Sequence, residues 1–278
     1  MNAEAEAPED GPDASAAFPS QIIQLGHVLG PGTVNGPVSP PYEYRLNHPH
    51  AAFDPGTPIV EGTISSASDA IALGDHTGTH VDSLAHVAEG GLLWDGTDIR
   101  SSGGQDDRAG VSASQRVELQ PIVARGVLLD FPRYFGGRVA ADTRLTPEHL
   151  AGCAAAQGVR LRNGDAVLLR TGWDELYGDP QRFLAGPQPG PELEAARYLS
   201  GLRASIVGSD TMPFEAAPAV QPLAVHAELI ARNGIQIMEM LDLRELARQG
   251  IHTFTFVLAP LRIQGGTGSP VNPLALIP

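Results

Sequence analysis

The chain has 278 residues, 42% of them hydrophobic, with a mean hydropathy near zero, enough for a substantial core in one large domain or two small ones. A formal charge of −14 argues against nucleic acid as a partner, and no apolar run or basic-then-apolar leader points to a membrane or an export route. The single cysteine, Cys153, excludes an internal disulfide and fits a reducing cytoplasm, and the absence of lysine excludes Schiff-base chemistry.

Residues 1–18 read as a disordered acidic tail, with Glu4, Glu6, Glu9, Asp10 and Asp13 set among Ala, Pro and Gly. Order is expected from the short strand Ile22 to Leu25, which enters a Gly26-His27 turn. The Pro- and Gly-rich stretch 30–58 reads as a long loop or arm, since such a loop inside a domain is more often functional than a linker. A strand-like pattern over 59–73 leads into a histidine-rich motif, and 90–114 is a second loop-rich stretch.

Strands and helices then alternate. Gly126 to Asp130 reads as a buried strand. Thr146-Pro147-Glu148 opens a helix with an N-cap, a proline and an acid in its first turn. Asp165 to Arg170 is a strand, Pro191 to Leu202 a helix, and Ile206 to Gly208 a strand. A helix from Leu223 to Ala231, a strand Ile235 to Met238, a helix Leu243 to Arg248 and a strand Phe254 to Leu258 complete the series. The order predicts an α/β fold with a mixed sheet in one domain over 19–278.

The motif His76-Thr-Gly-Thr-His80-Val-Asp82-Ser-Leu-Ala-His86 places three of the chain's nine histidines and a carboxylate in one short run. No packing need accounts for that density. Imidazole and carboxylate form a mixed N/O donor set suited to Zn²⁺ or Mn²⁺. Such an ion lowers the pKa of water and polarises a carbonyl. Gly78 between two threonines argues for a strand-to-loop bend, and in extended chain His80 and Asp82 point the same way. His86 is either a proton-transfer group, a further ligand, or a locally packed histidine. His226, on its predicted helix, and Glu239, ending an apolar strand, are candidates to complete a two-metal site with a bridging carboxylate. Trp94 and Phe53, in loops flanking the motif, are the first choices for stacking a substrate ring, ahead of Tyr42, Tyr44, Trp173 and Phe214. His27 either reaches the site or serves its turn. Asp210 and Glu215 either approach the site or cap local structure.

From His76 through His86 the chain resembles the cyclase family that includes bacterial kynurenine formamidases and isatin hydrolases, with its His-x-Gly-Thr-His-x-Asp-x-x-x-His signature. The likeness continues through Asp165 to Trp173, Val207 to Thr211, His226 to Leu243, and Ala259 to Arg262 with Gly265 to Pro270. It implies a mixed α/β fold around a β-rich, barrel-like core, and assembly as a homodimer or higher oligomer. It also implies one or two divalent ions, Zn or Mn. His76, His80 and Asp82 would hold the first and His226 the second, with Asp82 and Glu239 bridging and His86 moving protons. The implied reaction is hydrolysis of a carbonyl C–N bond, in an amide, formamide or cyclic imide or lactam, or of an ester or lactone. A metal-dependent cyclase or dehydratase of secondary metabolism, or a non-catalytic metal-binding member, are the alternatives. Leu84 stands where formamidases carry proline, and the tryptophan-containing loop after their Ser-His turn is missing. These departures point away from N-formylkynurenine and toward another small-molecule substrate.

Overall fold

A computed structural model describes residues 18–36, 39–50, 62, 64–101, 105–106, 110–111 and 118–278. The acidic tail up to position 17, Phe53 and most of the predicted 90–114 loop's second half therefore lie outside the described residues. In chain order the first strands are β1 (Gln21–Gln24), β2 (Glu43–His48), β3 (Ser68–Ala72), β4 (His80–Asp82), β5 (Gln105–Asp106) and β6 (Gly110–Val111). Next come β7 (Ile122–Asp130), α1 (Phe131–Phe135), β8 (Arg144–Leu145), α2 (Pro147–Ala156) and β9 (Ala166–Arg170). They are followed by α3 (Pro180–Phe183), β10 (Gly190–Pro191), α4 (Leu193–Gly201), β11 (Ile206–Ser209) and α5 (Ala224–His226). The chain closes with β12 (Gln236–Glu239), α6 (Arg244–Gln249), β13 (Thr253–Leu258), β14 (Gly268–Pro270) and β15 (Leu274–Ile277).

Nine of these strands form one sheet in the order β1-β15-β13-β7-β9-β11-β12-β4-β14. Its middle is parallel, β7 to β9 to β11 to β12, and its flanks are antiparallel, so the expected mixed sheet is present. Strands β14 and β15 are nearly consecutive in the chain, yet β14 ends that order and β15 is next to last at its other end. A flat sheet cannot satisfy both positions, so the sheet curls back on itself into a barrel-like half-shell.

The central strands are buried on both faces and read as continuous apolar runs. Alternate residues serve the two sides. Val127, Leu129, Val167, Leu169, Val207 and Ile237 pack under α2 and α4 with Leu150, Cys153, Ala195 and Leu199. Leu128, Ala166, Leu168, Ile206 and Met238 face the inside of the curl, where Ile23, Leu25, Val81, Phe254 and Phe256 fill the space. Cys153 is fully buried and its thiol is pushed up to about 12 by burial, so it is chemically inert.

The start of α2 follows its sequence. Thr146 caps it, Pro147 occupies the first turn, and His149 completes a capping box with Thr146. Two expectations need correction. The 30–58 stretch is not loop throughout: Glu43-Tyr-Arg-Leu-Asn-His48, free of Pro and Gly, pairs with β3 as an antiparallel ribbon. The helix expected over 223–231 is a single α-turn, α5, continuing as a π-helix over Ala227–Arg232. That wider winding is a frequent companion of functional sites. Among the described residues, no helix is long and apolar enough to cross a membrane.

Candidate metal centre

Register builds the centre. Strand β4 is only three residues long, fully buried, and lies between β12 and β14. His80 and Asp82 are two apart and share one face. Glu239 of β12 stands directly opposite His80, and Gly268 of β14 directly opposite Asp82. Cross-strand partners share a face, so His80, Asp82 and Glu239 converge. The turn into β4 bends at Gly78, whose φ of 60° is the left-handed value glycine adopts without strain. That bend brings His76 back over the same face, with its Nδ1 2.9 Å from Asp82 Oδ1.

His226 arrives from the sheet's helical side. Leu223 precedes α5, and the amides of Leu223, Val225 and His226 all donate to the buried Glu215 carboxylate. The same carboxylate accepts from His226 Nδ1 at 3.1 Å, which aims Nε2 at Glu239 Oε1, 3.2 Å away, and at Asp82 Oδ2, 3.7 Å away. Glu239 Oε1 also accepts the Phe214 amide at 2.8 Å. Glu215 was undecided from sequence alone; the structure makes it the group that orients His226.

Each of the three imidazoles has its outward nitrogen engaged. Thr267 Oγ1 holds His76 Nε2 at 3.1 Å, the Gly78 carbonyl accepts from His80 Nδ1 at 2.8 Å, and Glu215 holds His226 Nδ1. Such outer partners fix the tautomer and direction of metal-ligating histidines. With Nδ1–H given to Gly78, the His80 Nε2 lone pair points at Asp82 Oδ1, 3.6 Å away, and Glu239 Oε2, 3.7 Å away. Lone pair facing carboxylate is repulsive unless a cation lies between them.

Asp82 makes the same point more strongly. It is 1% exposed, and both its oxygens are buried with no hydrogen-bond partner among the described residues. The close approach of His76 is off the hydrogen-bonding direction. A bare buried carboxylate is costly. Burial would raise its pKa, but the imidazoles of His86, His76, His80 and His226 hold it well below the usual carboxylate range. Burial acts to lower the pKa of His226, but its bonds to Glu215 and Glu239 push it up to about 10. The unpartnered buried carboxylate, faced by the His80 lone pair, is accommodated by a cation at this point. Two groups, His76/His80/Asp82 and Asp82/His226/Glu239, each bring one donor atom per residue within 4.8 Å of one another, with Asp82 common to both. This N/O set fits a divalent ion.

His86 follows a turn closed by its amide on the Ser83 carbonyl. Its ring lies 4.3 Å from that of His76 and 6.3 Å from that of His226. It is half-buried, and burial lowers its pKa. A neutral imidazole beside the centre is able to accept a proton.

The remaining candidates fall elsewhere. Trp94 packs over Gly234, at the opposite end of β12 from Glu239, because only a residue without Cβ leaves room for the indole there. It is not a wall of the centre. The His27 ring is stacked on Tyr177 at 3.5 Å and buried, and burial lowers its pKa to about 4. Trp173 and Phe214 are core side chains, and Tyr44 lies on the exposed ribbon with its hydroxyl donating to Asp69. Asp210 is buried under the amides of Thr171, Gly172, Trp173 and Asp174 and orders the turn after β9.

Gly268 was missed by the motif reading. A Cβ there would lie 2.9 Å from His76 Cε1 and 3.0 Å from the Val81 carbonyl. Gly268→Ala should therefore displace the His76 ring and weaken metal binding about 10–100-fold, the scale of outer-shell changes. Chelator competition on the variant checks this.

A curled mixed sheet thus gathers, from β4, β12, α5 and the turn before β4, a His/Asp/Glu cluster with the donor set of a metal site on an α/β frame. The chain belongs to the cyclase family: residues 23–216 match the Putative cyclase family. It is 26% identical over 270 residues to the isatin hydrolase of Roseibium aggregatum, covering 93% of this chain and 92% of that protein. A crystal structure described as a novel cyclase superposes with a TM-score of 0.81 at 27% identity, over 95% of this chain and 91% of that one. Isatin hydrolase A from Labrenzia aggregata, bound to benzyl benzoate, gives 0.67 at 26% identity, over 95% and 96% of the two chains.

Proposed function

We propose that the protein is a metal-dependent hydrolase of a carbonyl C–N bond in a small amide or cyclic amide. The observation that carries this reading is the Asp82 carboxylate, buried without a hydrogen-bond partner where three oriented imidazoles and Glu239 converge. His76, His80 and Asp82 would hold one divalent ion, Zn or Mn, and Asp82, His226 and Glu239 a second. Such an ion lowers the pKa of water and polarises a carbonyl. The chain's own residues supply the rest. Thr267, Gly78 and Glu215 fix the three imidazoles before any ligand arrives. His86, kept neutral by burial, takes the proton from the attacking water and returns it to the leaving nitrogen. Similarity to isatin hydrolases supports a cyclic amide as the substrate class.

Turnover of isatin and of related lactams, cyclic imides and aryl formamides tests the proposal. Ring opening of the cyclic substrates, or release of formate from the formamides, with uptake of one water, abolished by chelation and restored by Mn²⁺ or Zn²⁺, is expected. Turnover indifferent to chelation, or a product formed by loss of water, contradicts it.

A further inference from the structure

We infer that Thr79 is a positioning residue that locks the two halves of the metal centre together, its hydroxyl extending the short β4–β12 ladder by one step. The inference rests on the metal reading above. That ladder has two residue pairs, Val81 with Met238 and His80 with Glu239. The pair that faces the centre is therefore the last one, where a strand pair frays most easily.

In antiparallel register the next pair would be Thr79 with Met240. Backbone pairing stops there because the chain turns: Met240 has φ of 55°, a left-handed value uncommon for a non-glycine residue. Its amide donates to the Thr211 carbonyl instead, at 3.0 Å. The Met240 carbonyl is taken by the Thr79 hydroxyl at 2.5 Å. The same hydroxyl oxygen accepts the His27 amide at 2.9 Å. Thr79 is 2% exposed and Met240 fully buried, so water cannot stand in for these bonds.

One side chain thus ties three segments: the turn after β1, the strand bearing His80 and Asp82, and the turn that follows Glu239. A left-handed residue persists only when its surroundings over-determine it. Here the surroundings are the Thr211 carbonyl on one side of Met240 and the Thr79 hydroxyl on the other. His27 contributes through its amide rather than its ring.

Thr79→Val keeps the shape and removes the hydroxyl; Thr79→Ser keeps the hydroxyl. Dissociation constants for Mn²⁺ and Zn²⁺, measured by competition with a chromophoric chelator, read the effect together with the melting temperature of the metal-free proteins. Thr79→Val should bind about 10-fold more weakly, the low end of the outer-shell range because Thr79 acts on Glu239 through the neighbouring Met240 carbonyl, with Thr79→Ser restoring most of that affinity. The loss should shrink in a Glu239→Gln background, because Thr79 acts through the placement of Glu239, and persist in a His76→Ala background. Unchanged affinity in Thr79→Val, or an equal loss in both backgrounds, overturns the inference and leaves Thr79 a general stabiliser. If Thr79→Val does not fold, Thr79→Ala is read by the same criteria. A wild-type chain that binds neither ion contradicts the metal reading itself, a result distinct from wild-type binding that Thr79→Val leaves intact.

Discussion

Replacing Asp82 by alanine should strip the protein of bound metal and reduce hydrolysis to background. Asp82 is the residue common to both donor groups, so its loss damages both halves of the centre, whereas His76→Ala or Glu239→Gln damages one. Removing it also takes away the one carboxylate that the imidazoles of His76, His80 and His226 all approach, leaving Glu239 facing only His80 and His226. Outer-shell partners cost about 10–100-fold in metal affinity, and a ligand shared by two groups should cost more than that. Elemental analysis and turnover on Asp82→Ala, beside His76→Ala, check the ranking. An Asp82→Ala protein that keeps its metal and its rate would mean that the centre is built from other residues.

His86→Ala should show the opposite separation: metal retained, rate lost. The ring lies beside those of His76 and His226 but belongs to neither donor group. General acid–base groups contribute about 10²–10⁴ in rate, so kcat should fall by that factor while the metal affinity stays near its wild-type value. Added imidazole should recover part of the rate by entering the space vacated. Metal lost together with the rate would make His86 a ligand, and near-normal turnover would remove it from the chemistry.

The candidate donors were legible because most of them are local. Four chemical groups fall between His76 and His86, and the Gly78 bend that folds them onto one face is itself written in the motif. His226 and Glu239 were legible by a different route, each standing at the end of an element whose apolar pattern is clear. The central strands were readable for the same reason, since a strand buried on both faces is an unbroken apolar run.

What could not be read is what depends on pairing across long sequence distances. Nothing near Thr267 or Gly268 announces that β14 lies against β4, yet that pairing puts a hydroxyl on His76 and leaves space for its ring. Glu215 was ambiguous because a carboxylate that orients a histidine and one that caps a turn have the same local sequence; here it does both. Trp94 was misplaced by proximity in sequence: it follows the motif closely, but the chain carries it to the far end of β12. The ribbon strand β2 was hidden by the prolines around it, which mask a short run that contains none.

The most direct test is the metal content of the wild-type chain purified with neither added metal nor chelator. Elemental analysis should find at least one equivalent of Zn or Mn per chain, rising to no more than two on titration, because the donors form two groups that share Asp82. A chain that contains no divalent metal and takes up none would contradict the account at its centre.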